Sequence, residues 1–277
     1  MGRFDGYLFV TDLDGTLLRK DKTISEENLR AIAEFEAEGG AFTFITGRIS
    51  RGAAPILAQL MPSVPIGCIN GGGIYDPREK KYLWQLALDP AFLDMVKEVD
   101  RKLPNVGIEL NAFERIYFCK KNAITEMHRI NESFDDLAPA FEEVDEPLAK
   151  ILFGVDPAEM DALIALLREH PAADRFDFIR SDEEYYEILP KGSSKGGLLV
   201  RLADLLGIDR RRTIAIGDND NDISMIREAA LGIAVANASQ NAMNAADYVT
   251  VSNEEHAIAR IIEDLGNGRL DRFFPTK

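Results

Sequence analysis

Cysteine is nearly missing from this chain of 277 residues, which has only Cys68 and Cys119. That excludes a disulfide framework, and with only three histidines, His128, His170 and His256, it leaves no Cys/His cluster for a structural zinc. Positive charge is also in short supply: 32 Lys and Arg stand against 47 Asp and Glu, for a net charge of -15. A field of that sign repels phosphates, which argues against nucleic acid or an anionic membrane as partner, and a phosphorylated ligand would need local cations. No apolar stretch approaches the roughly 18 residues of a membrane span. Arg3 and Asp5 leave no room for the apolar core of a signal peptide. These absences predict a reducing, cytoplasmic setting, and no repeat or low-complexity tract suggests a solenoid or a disordered chain.

With 46% hydrophobic and 29% charged residues, the chain can bury a sizeable core. Its opening stretch, Tyr7 to Val10, is a continuous apolar run suited to a strand buried on both faces of a parallel sheet. It ends in Asp12-Leu13-Asp14-Gly15-Thr16. In open α/β sheets ligands bind at the carboxyl ends of strands, so these aspartates are placed for catalysis or metal binding; taken alone they read equally well as an Asp-Gly turn. Thr23 to Glu26 offers a capping box for a helix through Leu29, Ile32 and Phe35 that Gly39-Gly40 ends. Ala41 to Ile45 is a second strand, delivering Thr46-Gly47-Arg48 to the same edge. A helix follows over about 49–60, with Pro55 as a kink or true start, then a strand at 64–69 and Gly71-Gly72-Gly73, either a close backbone approach or a plain turn into the next segment.

From Ile74 the rhythm changes. A hairpin of 74–75 against 82–84 leads to a helix capped by Asp89-Pro90, strands at 106–110 and 116–119, a weak helix near 124–130, a strand at 150–155, a helix capped by Asp156-Pro157, and strands at 176–180 and 185–189. Such a mixture indicates an α+β insert with its own core. The α/β rhythm returns after Pro190. Lys195 opens a helix with Leu198, Leu199, Leu202, Leu205 and Leu206, and the strand 213–216 ends in Gly217-Asp218-Asn219-Asp220-Asn221-Asp222. A short helix at 223–229, a strand at 232–235, a helix at 240–245, a strand at 248–251 and a helix at 254–265 complete it, with a solvent-facing tail from Gly266. The expected fold is α/β: a doubly wound, mostly parallel Rossmann-like core at 1–83 and 191–277, with an α+β cap at 84–190.

Strand ends and a helix start therefore present Asp12 and Asp14, Thr46, Lys195, and Asp218 with Asp222. Converging carboxylates need a cation or protons, and a few hard oxygen ligands with room for a phosphate suit Mg²⁺ better than Ca²⁺. A cation beside a lysine and a threonine hydroxyl would orient a phosphoryl group, for which an aspartate can serve as nucleophile.

In order and spacing, Asp12-x-Asp14-Gly15-Thr16, Thr46-Gly47-Arg48, Lys195 and Gly217-Asp218-x-x-Asn221-Asp222 resemble the four motifs of the haloacid dehalogenase superfamily, more narrowly its Cof-type, subclass IIB sugar-phosphate phosphatases. The likeness extends over nearly the whole chain; Ser193-Ser194 before Lys195, where relatives often carry a hydrophobic residue, is a minor departure. The resemblance implies Asp12 as nucleophile forming an aspartyl-phosphate, and Asp14 as general acid and then base. It implies Mg²⁺ on the Asp12 carboxylate, the Asp14 carbonyl and Asp218, supported by Asp222; phosphate on Thr46 and Lys195; and contacts to phosphate or substrate from Asn221, with Gly47 and Arg48 beside Thr46. The expected activity is Mg²⁺-dependent hydrolysis of a small phosphate monoester, a phosphosugar or similar metabolite. A phosphomutase or phosphotransferase using the same intermediate, or a non-catalytic sugar-phosphate-binding regulatory protein, is the alternative. Asp220 is expected to be a solvated loop acid, Arg210 to Arg212 a solvated turn, and the three histidines surface or helix-end residues. Arg115, Lys120, Lys121 and Arg180 are the cap cations that would offset the acidic field. Substrate identity and oligomeric state are not encoded in any motif.

Overall fold

In the computed structural model, which describes residues 2–274, the opening apolar run forms β1 (Leu8–Thr11), buried at every position. Helix α1 (Glu26–Ala37) follows, but its cap is Ser25, whose hydroxyl accepts the Asn28 N–H at 3.2 Å. Thr23 does not form the expected box because its hydroxyl donates to Asp21 at 2.6 Å within the preceding turn. Next comes β2 (Ala41–Phe44). The expected helix over 49–60 shrinks to a 3-10 turn, Arg51–Ala53, and the one-turn α2 (Ala54–Leu57), with Pro55 in its first turn. Proline lacks the N–H that would carry a helical ladder back toward residue 51, so α2 is a new start. β3 (Ile66–Cys68), β4 (Gly73–Asp76) and β5 (Lys81–Gln85) form a three-stranded sheet in that order, and Gly67 of β3 bridges Ile45 in parallel.

Residues 85–193, together with 48–52, form a compact unit of their own. It contains α3 (Phe92–Lys102), β6 (Gly107–Ala112), β7 (Ile116–Lys120), α4 (Ala123–Asn131), β8 (Leu148–Gly154), α5 (Met160–Arg168), β9 (Phe176–Arg180) and β10 (Tyr185–Pro190). The strands make one antiparallel sheet in the order β7-β6-β8-β10-β9. Asp89 and Asp156 cap the turns ahead of α3 and α5, accepting from Ala91 and Ala158, so each helix begins later than the Asp-Pro signal implied. Helix α4, expected to be weak, carries a reciprocal box: the Asn122 side chain accepts from Ile124 and Thr125 while Thr125 accepts the Asn122 N–H. Met95, Val96 and Val99 of α3 and Met160, Leu163 and Leu167 of α5 pack on Ile108, Leu110, Ile151, Phe153 and Ile188. The two-residue period of strands sends the intervening Glu109, Asn111, Lys150 and Glu187 to the opposite face, where they too are buried.

The other unit, made of residues up to Gly47, Ala53–Trp84 and Ser194 onward, resumes with α6 (Lys195–Leu206), β11 (Thr213–Gly217), α7 (Ile223–Glu228), β12 (Leu231–Ala234), α8 (Gln240–Ala245), β13 (Tyr248–Val249) and α9 (Ala257–Gly266). Its central sheet is parallel throughout, in the order β13-β12-β11-β1-β2. Leu8, Val10 and Ala215 pack against Leu198, Leu199 and Leu202 of α6 and Met225 of α7. Phe9, pointing the other way, meets Phe35 of α1 and Phe42. The sheet thus has a helical layer on each face, the arrangement that buries an all-parallel sheet. The expected helix from 254 is interrupted: Asn253–Glu255 is a 3-10 turn and His256, at φ 62, breaks the ladder before α9. The tail from Gly266 is solvent-facing only in part, with 267–269, Asp271 and Arg272 exposed. Leu270 is buried, and Phe273 and Phe274 contact Tyr248 and Tyr7 with ring centroids 5.6 Å apart in both pairs; residues 275–277 lie outside the described part. Among the described residues no helix is long and apolar enough to cross a membrane.

Candidate active site

The chain leaves β1 toward β2 on one side, and the later strands β11, β12 and β13 add on the other, so the topological switch point lies between β1 and β11. Crevices in doubly wound sheets open there, beyond the strands' carboxyl ends. Asp12 follows β1, with its N–H donating to Ile216 O at 2.9 Å, and Asp218 follows β11. Lys195, the first residue of α6, reaches between them: Nζ donates to Asp12 Oδ1 and to Asp222 Oδ1, each at 2.6 Å. Asp222 Oδ2 accepts the backbone N–H groups of Asp218 and Asn219, at 2.9 and 3.0 Å, which fixes the loop after β11. Asp218 accepts from the Thr16 hydroxyl at 2.8 Å.

The cluster is short of positive charge. Carboxylate oxygens of Asp12, Asp218 and Asp222 lie within 4.8 Å of one another, against the single Lys195 ammonium bonded to two of them. Burial, reinforced by Asp222 and Asp218, raises the Asp12 carboxyl well above the usual range despite Lys195. Burial and then Asp222 push Asp218 up to about 6, the Thr16 hydroxyl opposing. Burial alone would lower Lys195, but Asp12 and Asp222 outweigh it and hold the ammonium charged. Carboxyls crowded together and held above their ordinary range, with one lysine among them, form an oxygen donor set suited to a divalent cation, and the residues present therefore fit such an ion. The thiols of Cys68 and Cys119, both pushed up to about 12 by burial, are poor nucleophiles.

Asp14 is half exposed, with Oδ1 2.7 Å from Lys22 Nζ. Gly15 between them turns at φ 81, and a Cβ there would lie 2.4 Å from Asp218 Oδ2, so the turn requires glycine. Thr46 is buried, its N–H donating to Gly67 O and its carbonyl accepting from Asn70, both at 3.0 Å. A Cβ on Gly47 would come within 3.1 Å of the Asn70 side chain, and Asn221 Nδ2 donates to Asn70 Oδ1 at 3.2 Å. Arg48 groups with the second unit instead, where it pairs with Glu132 and donates to Gly52 O at 3.3 Å. Asp220 is an exposed loop acid, accepting from Ser239 and Asn241.

Three participants escaped the sequence reading. Lys22 is one basic residue among several, Thr16 was read only as part of a motif, and Asn70 was hidden before three glycines; a polar residue beside a glycine run was the one available signal. Gly71, at φ 110, lies so close to Ser194 that a Cβ would be 2.3 Å from Ser194 O, which settles the glycine run as a close backbone approach. The four proposed cap cations have partners of their own: Arg115 with Glu146, Lys120 with Asp100, Lys121 with Asp136, and Arg180 with the carbonyls of Asp182 and Glu183. His128 is a helix-end residue as expected, in the last turn of α4, with its Nδ1 on the fully buried Glu109.

The family model for haloacid dehalogenase-like hydrolases matches residues 9–262. Among curated proteins, the putative phosphatase YxeH and the 5-amino-6-(5-phospho-D-ribitylamino)uracil phosphatase YitU, both of Bacillus subtilis, are each 29% identical over 267 residues, covering 93% of this chain and 97% of theirs. A haloacid dehalogenase-like hydrolase from Bacteroides thetaiotaomicron superposes with a TM-score of 0.84 at 26% identity, covering 94% of this chain and 99% of that one. The chain therefore belongs to the haloacid dehalogenase-like hydrolases and is a phosphatase of their Cof type.

Proposed function

We propose that the protein is a Mg²⁺-dependent phosphatase that hydrolyses a small phosphorylated metabolite through an aspartyl-phosphate on Asp12. The observation that carries this reading is the pair of 2.6 Å hydrogen bonds from Lys195 to Asp12 and Asp222, which hold one Asp12 oxygen and leave the other to act. An Asp12 carboxylate oxygen attacks phosphorus as the bond to the leaving oxygen breaks, and Asp14 gives its proton to that oxygen. Asp14, now a carboxylate, takes a proton from water, whose oxygen attacks phosphorus; phosphate leaves and Asp12 is restored. Lys22 must release Asp14 for either transfer, and as an exposed ion pair it does so at little cost. Thr46 and Lys195 hold the phosphoryl oxygens and Asn221 contacts the substrate. Asp12, Asp218 and the Asp14 carbonyl would hold Mg²⁺ with Asp222 behind them, and the ion would neutralise charge on the phosphoryl group.

The reading takes the core as 1–83 and 191–277 and the cap as 84–190. The YitU name describes phosphate removal from a ribityl compound, which supports a polyhydroxylated substrate here. The test is hydrolysis of p-nitrophenyl phosphate with Mg²⁺, with chelator, and by Asp12→Asn. Activity that survives both chelation and the substitution would rule the mechanism out.

A further inference from the structure

The link between β3 and β4 is built against backbone preference. Ile69, Asn70 and Gly71 follow one another at φ 61, 49 and 110, all in the left-handed region. Glycine enters that region freely and asparagine tolerates it, but a β-branched side chain is strained there. Ile69 and Asn70 are both buried, so the strain is held by packing and does not belong to a loose surface turn. A link needed only to reverse the chain could be made of glycine, as it is at Gly71 and Gly72.

The turn delivers Asn70 to several segments of the proposed site. Its backbone N–H donates to Thr46 O at 3.0 Å, while the Thr46 N–H donates to Gly67 O at the same distance, so Thr46 is tied on both sides. The Asn70 side chain lies against Gly47, where a Cβ would come within 3.1 Å of Oδ1 and 3.2 Å of Nδ2. Oδ1 accepts from Asn221 Nδ2 at 3.2 Å, across 151 positions of the chain. Gly71 then presses on Ser194, directly before Lys195. All of these residues belong to one compact unit. A planar amide with one N–H bonded has its plane fixed, so the second N–H of Asn221 Nδ2 is held in one direction. An amide oxygen at position 70 achieves this without adding a further carboxylate beside the loop of Asp218, Asp220 and Asp222.

We propose that Asn70 is a positioning residue for phosphoryl transfer: its side-chain oxygen, presented by the strained turn, aims the Asn221 amide at the phosphoryl group. This rests on the phosphatase reading above, in which Asn221 contacts the substrate. Asn70 acts through Asn221 and does not itself meet a reacting atom. The N–H that reaches Thr46 is backbone, so substitution separates the side chain from the turn.

Asn70→Gly keeps the left-handed turn and the N–H to Thr46 while removing the amide. With p-nitrophenyl phosphate and Mg²⁺, Asn70→Gly is expected to lower kcat/KM by about tenfold, and Asn221→Ala by at least as much. The double variant should match Asn221→Ala alone to within about threefold, because the two residues work as one unit. Losses that multiply in the double variant, as a purely structural role for Asn70 would produce, overturn the proposal, and so does an unchanged kcat/KM in either single variant. The wild-type protein supplies a measurement that does not depend on how the variants fold: the side-chain amide resonances of Asn70 and Asn221 are followed as orthovanadate, a phosphoryl mimic, is added with Mg²⁺. Shifts of both support the coupling, and an Asn70 signal that stays in place at saturating orthovanadate overturns it. A wild type that neither hydrolyses a phosphate monoester nor binds orthovanadate would instead overturn the phosphatase reading.

Discussion

One ammonium serves two carboxylates in this site, so the consequences of single substitutions are unequal. Lys195→Met strands Asp12 and Asp222 without their hydrogen-bonded cation, which is expected to lower the stability of the metal-free protein by about 3 to 5 kcal/mol, with partial recovery on adding Mg²⁺. Thermal melting with and without Mg²⁺ measures this, and an unchanged melting temperature would contradict it. Asp12→Asn relieves charge repulsion and should melt no lower than wild type, yet lose roughly a thousandfold or more in turnover. The pH dependence follows from Asp218, at about 6 in the folded protein against an ordinary 3.8, with Asp12 shifted the same way. At these two carboxyls the folded state binds protons more tightly than the unfolded chain, so their contribution to metal-free stability is fully present below about pH 4 and is lost as pH rises to about 6. A bound divalent cation reverses that decline. Melting temperatures across this range should fall less steeply for Asp218→Asn than for wild type; equal slopes would mean the carboxyl is not shifted.

Helix α6 places the lysine, and two glycines let it come close enough. A Cβ on Gly196 would sit 2.4 Å from Ser224 O, and one on Gly71 would sit 2.3 Å from Ser194 O. The start of α6 is therefore pressed between the glycine turn and α7. Gly196→Ala should push the helix start outward, destabilising by about 1 to 3 kcal/mol and lowering kcat because Lys195 moves with it. Gly207→Ala, at the far end of the same helix with φ 66 and open space around it, should lose about 1 to 2 kcal/mol from backbone strain alone and keep its kcat. Kinetics and melting on the pair separate placement from stability: a kcat that falls equally in both would show that the close approach does not position the lysine.

At the scale of the molecule, a net charge of -15 opposes the arrival of a phosphate dianion. Screening weakens that repulsion, so kcat/KM for a phosphate monoester should rise from about 10 mM toward roughly 100 mM salt at constant Mg²⁺, as the Debye length contracts to about 10 Å. A steady fall with salt would instead show that local cations govern encounter.

The sequence by itself determined the parallel core, the return of the α/β rhythm after the insert, and the acids at the ends of β1 and β11, because continuous apolar runs that stop at polar residues mark buried strands and their carboxyl ends. Local signals also named Lys195, by its position at a helix start. Tertiary structure decided what depends on residues distant in the chain. It joined Lys195 to Asp12 across 183 positions, packed Leu270, Phe273 and Phe274 onto the core where composition suggested a loose tail, and set His128 on a buried Glu109. Hydrophobic periodicity tells which face of an element is buried, but the partner of a polar side chain is set by which strands lie side by side, and that follows only from the fold.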